Sequence, residues 1–373
     1  WMTSRKATIT VRVDSSSNIT LQNNSVATFA NSFNPAISVS FSSTTLVVQN
    51  VLVTNGTADN NMGVYLPVST QLIITNNTIS TYGSFANRGI YSDSSTFSLI
   101  ENNTIYSNGF DNFNDGIGIT GSGQAAHNVS NNTIHTGGVS FNRGLIVDNS
   151  MDNAVFNNTF VTNGTGDHNY GVHIIDPSAG NNTLYGNFIS TNGLSDRHYG
   201  VALEVGTFNN AIQGNLIFAN GAAGVNFGVH ISAAENNTVV NNTIITNDST
   251  GAAFNYGVHL EASAFNNTIV GNNITTDGGG INYGVAFDSS AFNNSILNNT
   301  ITTFGILFGS NNGADLNAVE NNTLDGNSIS THGGSTDYGV SVTTSNGTIL
   351  RNNTISIDFA SADSPAINVQ AGS

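Results

Sequence analysis

The sequence contains no cysteine, which excludes a disulfide framework and any chemistry that requires a thiol. Charged residues make up only 8% of the chain, and lysine and arginine together number 7 against 23 aspartates and glutamates. Because a nucleic-acid partner requires clustered lysine or arginine, the sequence excludes nucleic acid, and the same deficit disfavours an anionic membrane surface. Apolar runs stay short of the roughly 18 residues that a membrane helix needs, so no membrane span is expected.

Asparagine recurs at a regular spacing along almost the whole chain. The unit Asn-x-apolar appears, for example, as Asn77-Thr78-Ile79 and Asn103-Thr104-Ile105, and successive occurrences are 26–30 residues apart. The thirteen repeated asparagines are Asn24, Asn50, Asn77, Asn103, Asn132, Asn158, Asn187, Asn215, Asn242, Asn272, Asn299, Asn327 and Asn353. A repeat of this length without a helical pattern indicates a solenoid of stacked strands.

Two further motifs divide each repeat. One is Gly-(Val/Ile/Leu)-x-apolar, as in Gly171-Val172-His173-Ile174 and Gly228-Val229-His230-Ile231. The other lies five residues before the main asparagine, as in Asn237-Thr238-Val239. Each coil is therefore predicted to contain three short strands, in which inward apolar side chains alternate with outward polar ones.

Together the three motifs predict an all-β chain that forms a parallel β-helix of about 13 coils of 26–30 residues. Because neighbouring coils lie about 4.8 Å apart, equivalent asparagines should stack into an inward ladder that is hydrogen-bonded between coils. The 21 residues from Gly284 to Gly305 predict a shortened turn, offset by an inserted loop near residues 310–317. Repeat-like sequence at both ends predicts self-association through terminal coils or continuation of a longer chain.

The Asn-Asn-Thr-Ile units, with asparagines five residues apart, resemble those of the right-handed parallel β-helix repeat superfamily. That superfamily includes pectate lyases, polygalacturonases, phage tailspikes, and bacterial and archaeal surface proteins. The resemblance implies a single right-handed β-helix domain over residues 1–373, but it selects no activity, because one fold hosts many functions. The Asn-Thr-Asp, Asp-Asp and Arg-Ile-Lys motifs of polygalacturonases are absent, and no acidic trio accompanies Arg197, the one plausible base for a pectate lyase.

An acidic stripe is the first candidate for chemistry. The carboxylates that follow a motif glycine by four residues are Asp93, Asp148, Glu204, Glu261 and Asp288, and Asp176 follows by five. Carboxylates on neighbouring coils, or two coils apart, would have the separation of roughly 5–9 Å that glycosidic hydrolysis uses. If the chain is an enzyme, we expect Asp148, Asp176 and Glu204 to be catalytic. The alternative is that these residues are solvated strand ends.

Histidines and a charged loop provide the second candidate. The carbohydrate-binding candidates are His173, His230 and His259, two residues after the motif glycine, and Asp167, His168, Arg197 and His198 in the loop before it. Histidine beside aspartate can form an acid–base pair or a weak metal site, whereas the alternative is local ion pairing and solvation. Without a stronger ligand set, we expect neither a metal nor another cofactor.

Aromatic residues precede the glycine at Tyr170, Tyr199, Phe227, Tyr256, Tyr283, Phe304 and Tyr338. Outward rings could stack on sugars, whereas inward rings would form a packed ladder. The two-residue spacing between each ring and the inward valine favours the inward ladder.

The regular repeat, and the lack of a convincing catalytic constellation, favour a non-enzymatic structural or adhesive protein outside the cell or on its surface. Such a chain would form part of a fibre, a sheath or an adhesin. Two alternatives stay open: a polysaccharide hydrolase or lyase, and a polysaccharide-binding module without catalysis. Mostly short turns disfavour the deep, loop-walled cleft that an enzyme needs.

Overall fold

The computed structural model describes residues 10–29, 32–121, 125–248, 254–305, 309–333, 336–358 and 364–370. The chain divides into two compact units. The first unit consists of residues 1–173 and 178–183, and the second consists of residues 174–177 and 184–373. Both units are built from β-strands, and none of the described segments forms an apolar helix of membrane-spanning length.

Strands follow one another in triplets, and the described residues contain thirteen triplets and one final strand. The strands of the first six triplets are β1 (Val11–Asp14), β2 (Thr20–Gln22), β3 (Ser25–Thr28), β4 (Asn34–Ser40), β5 (Leu46–Val48), β6 (Val51–Asn55), β7 (Asn61–Pro67), β8 (Ile73–Thr75), β9 (Thr78–Gly83), β10 (Arg88–Asp93), β11 (Leu99–Glu101), β12 (Thr104–Gly109), β13 (Asp115–Thr120), β14 (Asn128–Ser130), β15 (Thr133–Gly138), β16 (Arg143–Asp148), β17 (Ala154–Phe156) and β18 (Thr159–Gly164). The remaining strands are β19 (Asn169–Ile175), β20 (Thr183–Tyr185), β21 (Phe188–Gly193), β22 (His198–Glu204), β23 (Ala211–Gln213), β24 (Leu216–Gly221), β25 (Val225–Ser232), β26 (Thr238–Val240), β27 (Thr243–Asp248), β28 (Phe254–Glu261), β29 (Thr268–Val270), β30 (Asn273–Gly278), β31 (Ile281–Phe287), β32 (Ser295–Leu297), β33 (Thr300–Gly305), β34 (Asn311–Asn317), β35 (Thr323–Asp325), β36 (Ser328–His332), β37 (Val340–Thr343), β38 (Ile349–Arg351), β39 (Thr354–Asp358) and β40 (Ile367–Gln370).

Equivalent strands of successive coils pair in parallel within each unit. In the first unit, the first strands of the triplets pair in the order β1-β4-β7-β10-β13-β16, and in the second unit in the order β22-β25-β28-β31-β34-β37-β40. The second and third strands of the triplets pair in the same way. Parallel neighbours need a long connection, so two paired strands are separated in the sequence by the other two strands of the coil. The prediction of an all-β parallel β-helix with three strands per coil is confirmed.

Branched aliphatic side chains fill the interior of each unit. In the first unit, Ile79, Ile105 and Ile134 are in register on successive third strands, and each is 0% exposed. In the second unit, Ile244 and Ile274 occupy the same position and are equally buried. Burial of one such side chain stabilises the fold by about 1.5–3 kcal/mol, so stacking rather than a single globular core supports each coil.

The predicted asparagine ladder is confirmed, and its hydrogen bonds explain why the residue repeats. Asn215 donates its backbone N–H and its Nδ2 to Oδ1 of buried Asn242, at 2.8 and 3.0 Å. In turn, Nδ2 of Asn242 donates to the carbonyl of Ile212 at 2.8 Å and to Oδ1 of Asn272 at 3.0 Å. Only a side-chain amide both accepts and donates in this way, so aspartate or alanine would leave buried groups unpaired.

The residue before a ladder asparagine turns the chain with a left-handed backbone. The φ angle is 53° at Asn102 and 52° at Asn241, and both residues directly precede a ladder asparagine. Asparagine tolerates this conformation better than most residues because its short polar side chain can hydrogen-bond locally. The two asparagines of each Asn-Asn pair therefore have separate roles, since the first forms the turn and the second satisfies buried backbone groups.

A further asparagine column, which the sequence did not reveal, lies two residues before the motif glycine. In the first unit, Nδ2 of Asn87 donates to Asn114 at 2.8 Å, and Nδ2 of Asn114 donates to Asn142 at 3.0 Å. In the second unit, Nδ2 of Asn255 donates to Asn282 at 3.0 Å. This column stabilises the start of the first strand of each coil, where the chain enters the site described below.

The motif glycine shifts the inward–outward alternation of the first strand by one residue. A Cβ on Gly228 would collide with Ile244 in the interior and would lie 2.6 Å from the carbonyl oxygen of Gly257. The strand register passes directly from the residue before the glycine to the residue after it, as at a bulge. The glycine and the following valine both face inward, so the predicted inward side of the aromatic ladder is wrong. The rings do form a packed ladder, in which Tyr199 and Phe227 stack with centroids 4.9 Å apart and are each 6% exposed, but this ladder lies beside the groove and not in the apolar interior.

The inserted loop predicted near residues 310–317 is instead a regular strand. Strand β34 pairs in parallel with β31, and Ala314 is in register with Val285. The motif glycine of this coil is therefore Gly313 and not Gly305. The sequence concealed it because alanine, and not valine, isoleucine or leucine, follows the glycine.

Phe304, predicted to precede a motif glycine, lies instead on the third strand of its coil, β33. It is in register with His332 of β36, and the two rings stack with centroids 4.9 Å apart. It therefore does not belong to the aromatic row of the first strands.

The asparagines five residues before those of the main ladder are also hydrogen-bonded between coils, as where Nδ2 of Asn153 donates to Oδ1 of Asn182 at 2.8 Å. One position of this row in the first unit holds a histidine, His127. His127 is buried, its Nδ1 accepts the backbone N–H of Ser98 at 3.1 Å, and its Nε2 lies 3.2 Å from Oγ of Ser92. Burial lowers the pKa of His127 to about 4, against a weaker opposing effect of the backbone hydrogen bonds. The imidazole is therefore neutral in the folded chain.

We expect the free energy of unfolding to decrease as the pH falls from 6.5 to about 4. The unfolded chain takes up a proton on His127 at higher pH than the folded chain does. The neutral His127 therefore contributes fully to the free energy of unfolding above pH 6.5, and we expect roughly 2–3 kcal/mol of that free energy to be lost as the pH falls to about 4. Urea denaturation across this range measures the loss. His127→Asn, which restores the residue at the equivalent position Asn153, should lose less, and an equal loss in both proteins would contradict the assignment to His127.

Candidate functional site

The outer surface of the second unit brings a histidine between two carboxylates of the acidic stripe. His230 on β25 is flanked by Glu204 on β22 and Glu261 on β28, one coil away on either side. Its Nδ1 lies 3.1 Å from Oε1 of Glu204, and its Nε2 lies 3.1 Å from Oε1 of Glu261. A neutral imidazole has only one N–H, so two carboxylate partners favour the doubly protonated form of His230.

The next coil repeats half of this arrangement. Nε2 of His259 donates to Oδ2 of Asp288 at 3.1 Å, whereas Nδ1 of His259 has no hydrogen-bond partner among the described residues. Ser232 occupies the position on the preceding coil that Glu204 occupies relative to His230. The two histidine rings stack with centroids 5.5 Å apart. The His–carboxylate cluster is defined here as Glu204, His230, Glu261, His259 and Asp288.

Burial and hydrogen bonding move the pKa values of the cluster in different directions. Burial opposes the charged form of His230, but its hydrogen bonds with Glu204 and Glu261 outweigh burial and raise its pKa. Burial lowers the pKa of His259, and the hydrogen bond with Asp288 opposes this less strongly. The hydrogen bond from His230 lowers the pKa of Glu261. These shifts favour the charged form of His230, the neutral form of His259 and the ionised form of Glu261.

A stack of aromatic rings lies beside the cluster. Tyr199, Phe227, Tyr256 and Tyr283 stack on one another with centroids 4.9–5.1 Å apart, and Phe227 lies 5.1 Å from the His230 ring. Because each ring covers the face of the next, the stack offers edges and hydroxyl groups to a ligand and few open ring faces. Burial raises the pKa of all three tyrosines, so their hydroxyl groups remain protonated.

Part of the cluster and part of the stack line a groove of about 430 Å³ that is open to solvent. Its lining residues are Arg197, Tyr199, Glu204, Val205, Val225, Phe227, His230, Ser232 and Glu261. The volume falls within the roughly 300–1,000 Å³ of small-ligand sites. Two carboxylates, one guanidinium group, apolar side chains and aromatic edges therefore meet in one concave surface.

Asp315, which the sequence did not identify, lies on the same sheet as the His–carboxylate cluster. It lies on β34, two residues after Gly313, and its Oδ1 accepts a hydrogen bond from Nδ2 of Asn312 at 2.9 Å. Burial raises its pKa, and the charge of Asp288 adds to this effect. The spacing of the glycines could have identified it, because Gly313 follows Gly284 by 29 residues, which is one repeat. The motif has to allow alanine after the glycine for Gly313 to match it.

Two loop residues that were predicted to bind carbohydrate have different positions in the second unit. Arg197 lines the groove, and its Nε lies 3.7 Å from Oδ2 of Asp196. His198 replaces an asparagine in the interior column and is 0% exposed, with Nε2 3.0 Å from the carbonyl oxygen of Ser195. The buried position of His198 places it outside the groove, which corrects its assignment as a carbohydrate-binding candidate.

Two predicted histidines of the first unit take part in ring stacks. The ring of His173 lies 4.3 Å from that of Tyr170, and the ring of His168 lies 4.6 Å from that of Phe141, with each pair nearly parallel. Both stacks are consistent with structural roles, and His173 is only 5% exposed.

The remaining predicted aspartates lie at strand ends and in turns. Asp148 ends β16, in register with Thr120, and the backbone N–H of Asp167 donates to Oγ of Ser140 at 2.9 Å. Asp176 follows β19 with a φ of 91°. Of the three residues predicted to be catalytic, Glu204 is the one that lines the groove.

The corresponding surface of the first unit carries a different charge arrangement. Asp115 is 0% exposed, and its carboxylate lies 2.7 Å from Nε of Arg143 and 3.2 Å from Nε of Arg88. The two guanidinium groups also lie over the rings of Phe113 and Tyr91. Asp115 and the two arginines are paired with one another, and aromatic rings cover the guanidinium groups, so these charges have a structural role.

Comparison with known proteins supports the fold. A family model described as a right handed beta helix region matches residues 4–160 and 139–301, whereas no curated protein matches the sequence. A chain of the Vag8–C1 inhibitor complex, solved by cryo-EM, aligns with 96% of this chain and 100% of its own length, at 12% identity and a TM-score of 0.63.

Two further solved structures are similar at lower scores. The A-module of the Azotobacter vinelandii mannuronan C-5 epimerase AlgE6 aligns over 95% of this chain and 90% of its own, at 15% identity and a TM-score of 0.48. The tailspike of E. coli bacteriophage HK620, in complex with a pentasaccharide, aligns over 92% and 72%, at 10% identity and a TM-score of 0.46. Likeness at these identities concerns the fold alone.

Proposed function

The chain belongs to the right-handed β-helix family, and from that fold we propose that it is an extracellular, non-enzymatic adhesive protein that binds neutral polysaccharide in the groove of its second unit. The observation that carries the proposal is His230, which contacts Glu204 and Glu261 at 3.1 Å each. Carboxylates held in one orientation accept hydrogen bonds from sugar hydroxyl groups with little further loss of side-chain entropy.

The charge of the groove favours a neutral ligand. Glu204 and Glu261 face the groove together with one arginine, Arg197, and the whole chain has a formal net charge of −16. An anionic polymer would meet like charge both in the groove and over the surrounding surface. Neutral sugars meet no such repulsion, and their hydroxyl groups can donate to the two carboxylates.

The hydrogen bonding of the groove favours binding over hydrolysis. Glycosidic hydrolysis needs one carboxyl group that gives a proton to the leaving oxygen and a second that acts as base or nucleophile. Both Glu204 and Glu261 are instead hydrogen-bond partners of the same buried imidazole. Because both carboxylates contact the same imidazole, their environments are similar. A general acid and a general base instead require two different environments, which hold their pKa values apart.

The proposed ligand and the composition of the chain support a location outside the cell. Long polysaccharides surround cells, and a charge-poor, repetitive solenoid suits a surface fibre, sheath or adhesin. Self-association through terminal coils stays a prediction. The mass of native material, measured by light scattering, tests it.

Binding of neutral oligosaccharides, measured by calorimetry, tests the proposal. Glu261→Gln keeps the shape of the side chain but removes its charge, and we expect an affinity loss of about tenfold or more. Asp93→Asn, at the matching position of the first unit, is the control and should bind like the wild type. Equal affinity of Glu261→Gln and the wild type would refute the site, and tighter binding of polyuronate would refute the neutral ligand.

The alternative is a carbohydrate-active enzyme, and one observation favours it. Burial raises the pKa of Asp315 and the charge of Asp288 adds to this effect, so two carboxyl groups in different environments act on each other here. Under this alternative, Asp315→Asn should abolish polysaccharide cleavage while Glu261→Gln reduces binding. Product analysis by chromatography separates the two functions.

A further inference from the structure

We propose that the His–carboxylate cluster binds one divalent transition-metal ion through Nε2 of His230, Nδ1 of His259 and a carboxylate oxygen of Glu261. The sequence alone predicts no metal, since it offers no strong ligand set, and this proposal departs from that expectation. The site does not depend on carbohydrate binding, although it shares His230 and Glu261 with the groove.

The separation of the ligand atoms fits one ion. His230, His259 and Glu261 each offer a ligand atom, and the three atoms lie within 4.8 Å of one another. The pair His230 Nε2 and Glu261 Oε1 is 3.1 Å apart. Ligands about 2.1 Å from a tetrahedral zinc ion lie about 3.4 Å from each other, so small side-chain rotations bring all three into place.

The other nitrogen of each histidine already has the partner that a metal-binding imidazole needs. Nδ1 of His230 lies 3.1 Å from Glu204, and Nε2 of His259 lies 3.1 Å from Asp288. Histidine ligands commonly give their second N–H to a carboxylate, which fixes the ring and increases the basicity of the ligating nitrogen. Two such pairs on neighbouring coils orient Nε2 of His230 and Nδ1 of His259 as ligands.

A buried nitrogen without a partner is the independent sign of a ligand. His259 is 4% exposed, and its Nδ1 has no hydrogen-bond partner in the part of the chain that the structure describes. Buried polar atoms are nearly always satisfied, and a metal ion would satisfy this one. On binding, the ion replaces the proton between Nε2 of His230 and Glu261, so one proton leaves as the metal–nitrogen bond forms.

The donor set identifies the class of metal. Two imidazole nitrogens and one carboxylate suit Zn²⁺, Co²⁺, Ni²⁺ or Cu²⁺, whereas Ca²⁺ and Mg²⁺ require oxygen ligands. Three protein ligands leave a tetrahedral ion one further position, which a water molecule or a ligand of the groove can take.

Titration of the tag-free chain with Zn²⁺ by calorimetry tests the proposal, with Co²⁺ absorption as the report on coordination. We expect one equivalent to bind, with a tetrahedral Co²⁺ spectrum. His259→Ala should lose more than about 100-fold in affinity, and Glu204→Gln, which keeps all three ligands, should lose about 10–100-fold. His332→Ala is the control, since His332 pairs with Asp358 outside the cluster and its loss should leave affinity unchanged.

Circular dichroism establishes that each variant is folded. If His259→Ala does not fold, the Glu204→Gln titration and nitrogen couplings in the Cu²⁺ electron paramagnetic resonance spectrum decide instead, with two imidazole nitrogens expected. Absence of Zn²⁺ binding by the wild type, or wild-type affinity in folded His259→Ala or in Glu204→Gln, would overturn the site. All titrations are made without saccharide, so failure of carbohydrate binding leaves this result intact.

Discussion

Replacing Asn242 with alanine should lower the free energy of unfolding by about 4 kcal/mol, because several buried polar groups lose their partners at once. The backbone N–H and Nδ2 of Asn215 would lose their acceptor. The carbonyl of Ile212 and Oδ1 of Asn272 would lose a donor. No neighbouring side chain can replace an amide that bonds to the coils on both sides.

Chemical denaturation of the Asn242→Ala variant measures this loss. The matched control is Asn247→Ala in the same coil, where the asparagine is exposed, and we expect a change within about 0.5 kcal/mol. Equal stability of the two variants would show that the ladder contributes nothing beyond the strand pairing itself.

Gly116→Ala should destabilise the first unit by about 3 kcal/mol, because the interior cannot accept a single added carbon at this position. A Cβ on Gly116 would collide with the buried side chain of Ile134 and would lie 2.6 Å from the carbonyl oxygen of Gly144. Neither neighbour can move easily, since one is packed in the core and the other belongs to a paired strand.

Gly118→Ala, on the same strand, is the matched control for this effect. Its Cβ would point outward, with the ring of Tyr91 as its nearest neighbour at 3.0 Å. An aromatic ring on the surface can move aside, so we expect a loss below about 1 kcal/mol. Thermal unfolding of both variants measures the difference, and similar melting temperatures would contradict the inward position of the motif glycine.

The spacing of the asparagines was sufficient to predict the fold. Stacked coils repeat every side-chain environment at one strand spacing, so a residue required in one coil is required in all. Asn242 and Asn272 therefore appear in the sequence as a period and in the structure as a hydrogen-bonded pair. Three strands per coil followed from the three motifs for the same reason.

The orientation of the first strand could not be predicted in the same way. Simple alternation would place Tyr199 on the same side of the strand as the buried Val201. Gly200 between them faces inward instead, and the strand pairing continues from Tyr199 directly to Val201. The aromatic rings consequently lie outside, beside the groove. Steric exclusion at Gly200, and not a periodic pattern, determines this, because a Cβ there would collide with Ile217.

The candidate site was predicted residue by residue but not as an arrangement. Glu204, His230, Glu261 and His259 were all singled out from their position after the motif glycine. What the sequence could not show is that one imidazole reaches carboxylates on both neighbouring coils, while the next finds Asp288 on one side only. The difference arises because Ser232, and not a carboxylate, lies on the coil that precedes His259. Nδ1 of His259 therefore has no hydrogen-bond partner among the described residues.

The most direct test of the proposed function combines retention and product analysis on one neutral polysaccharide. The chain is incubated with the polymer, and the bound fraction and the polymer length are measured together. We expect the wild type to be retained and the polymer length to stay unchanged, and we expect Glu261→Gln to be retained less. Shortened or chemically modified polymer, or equal retention of the wild type and Glu261→Gln, would contradict a binding surface built on His230 and its two carboxylates.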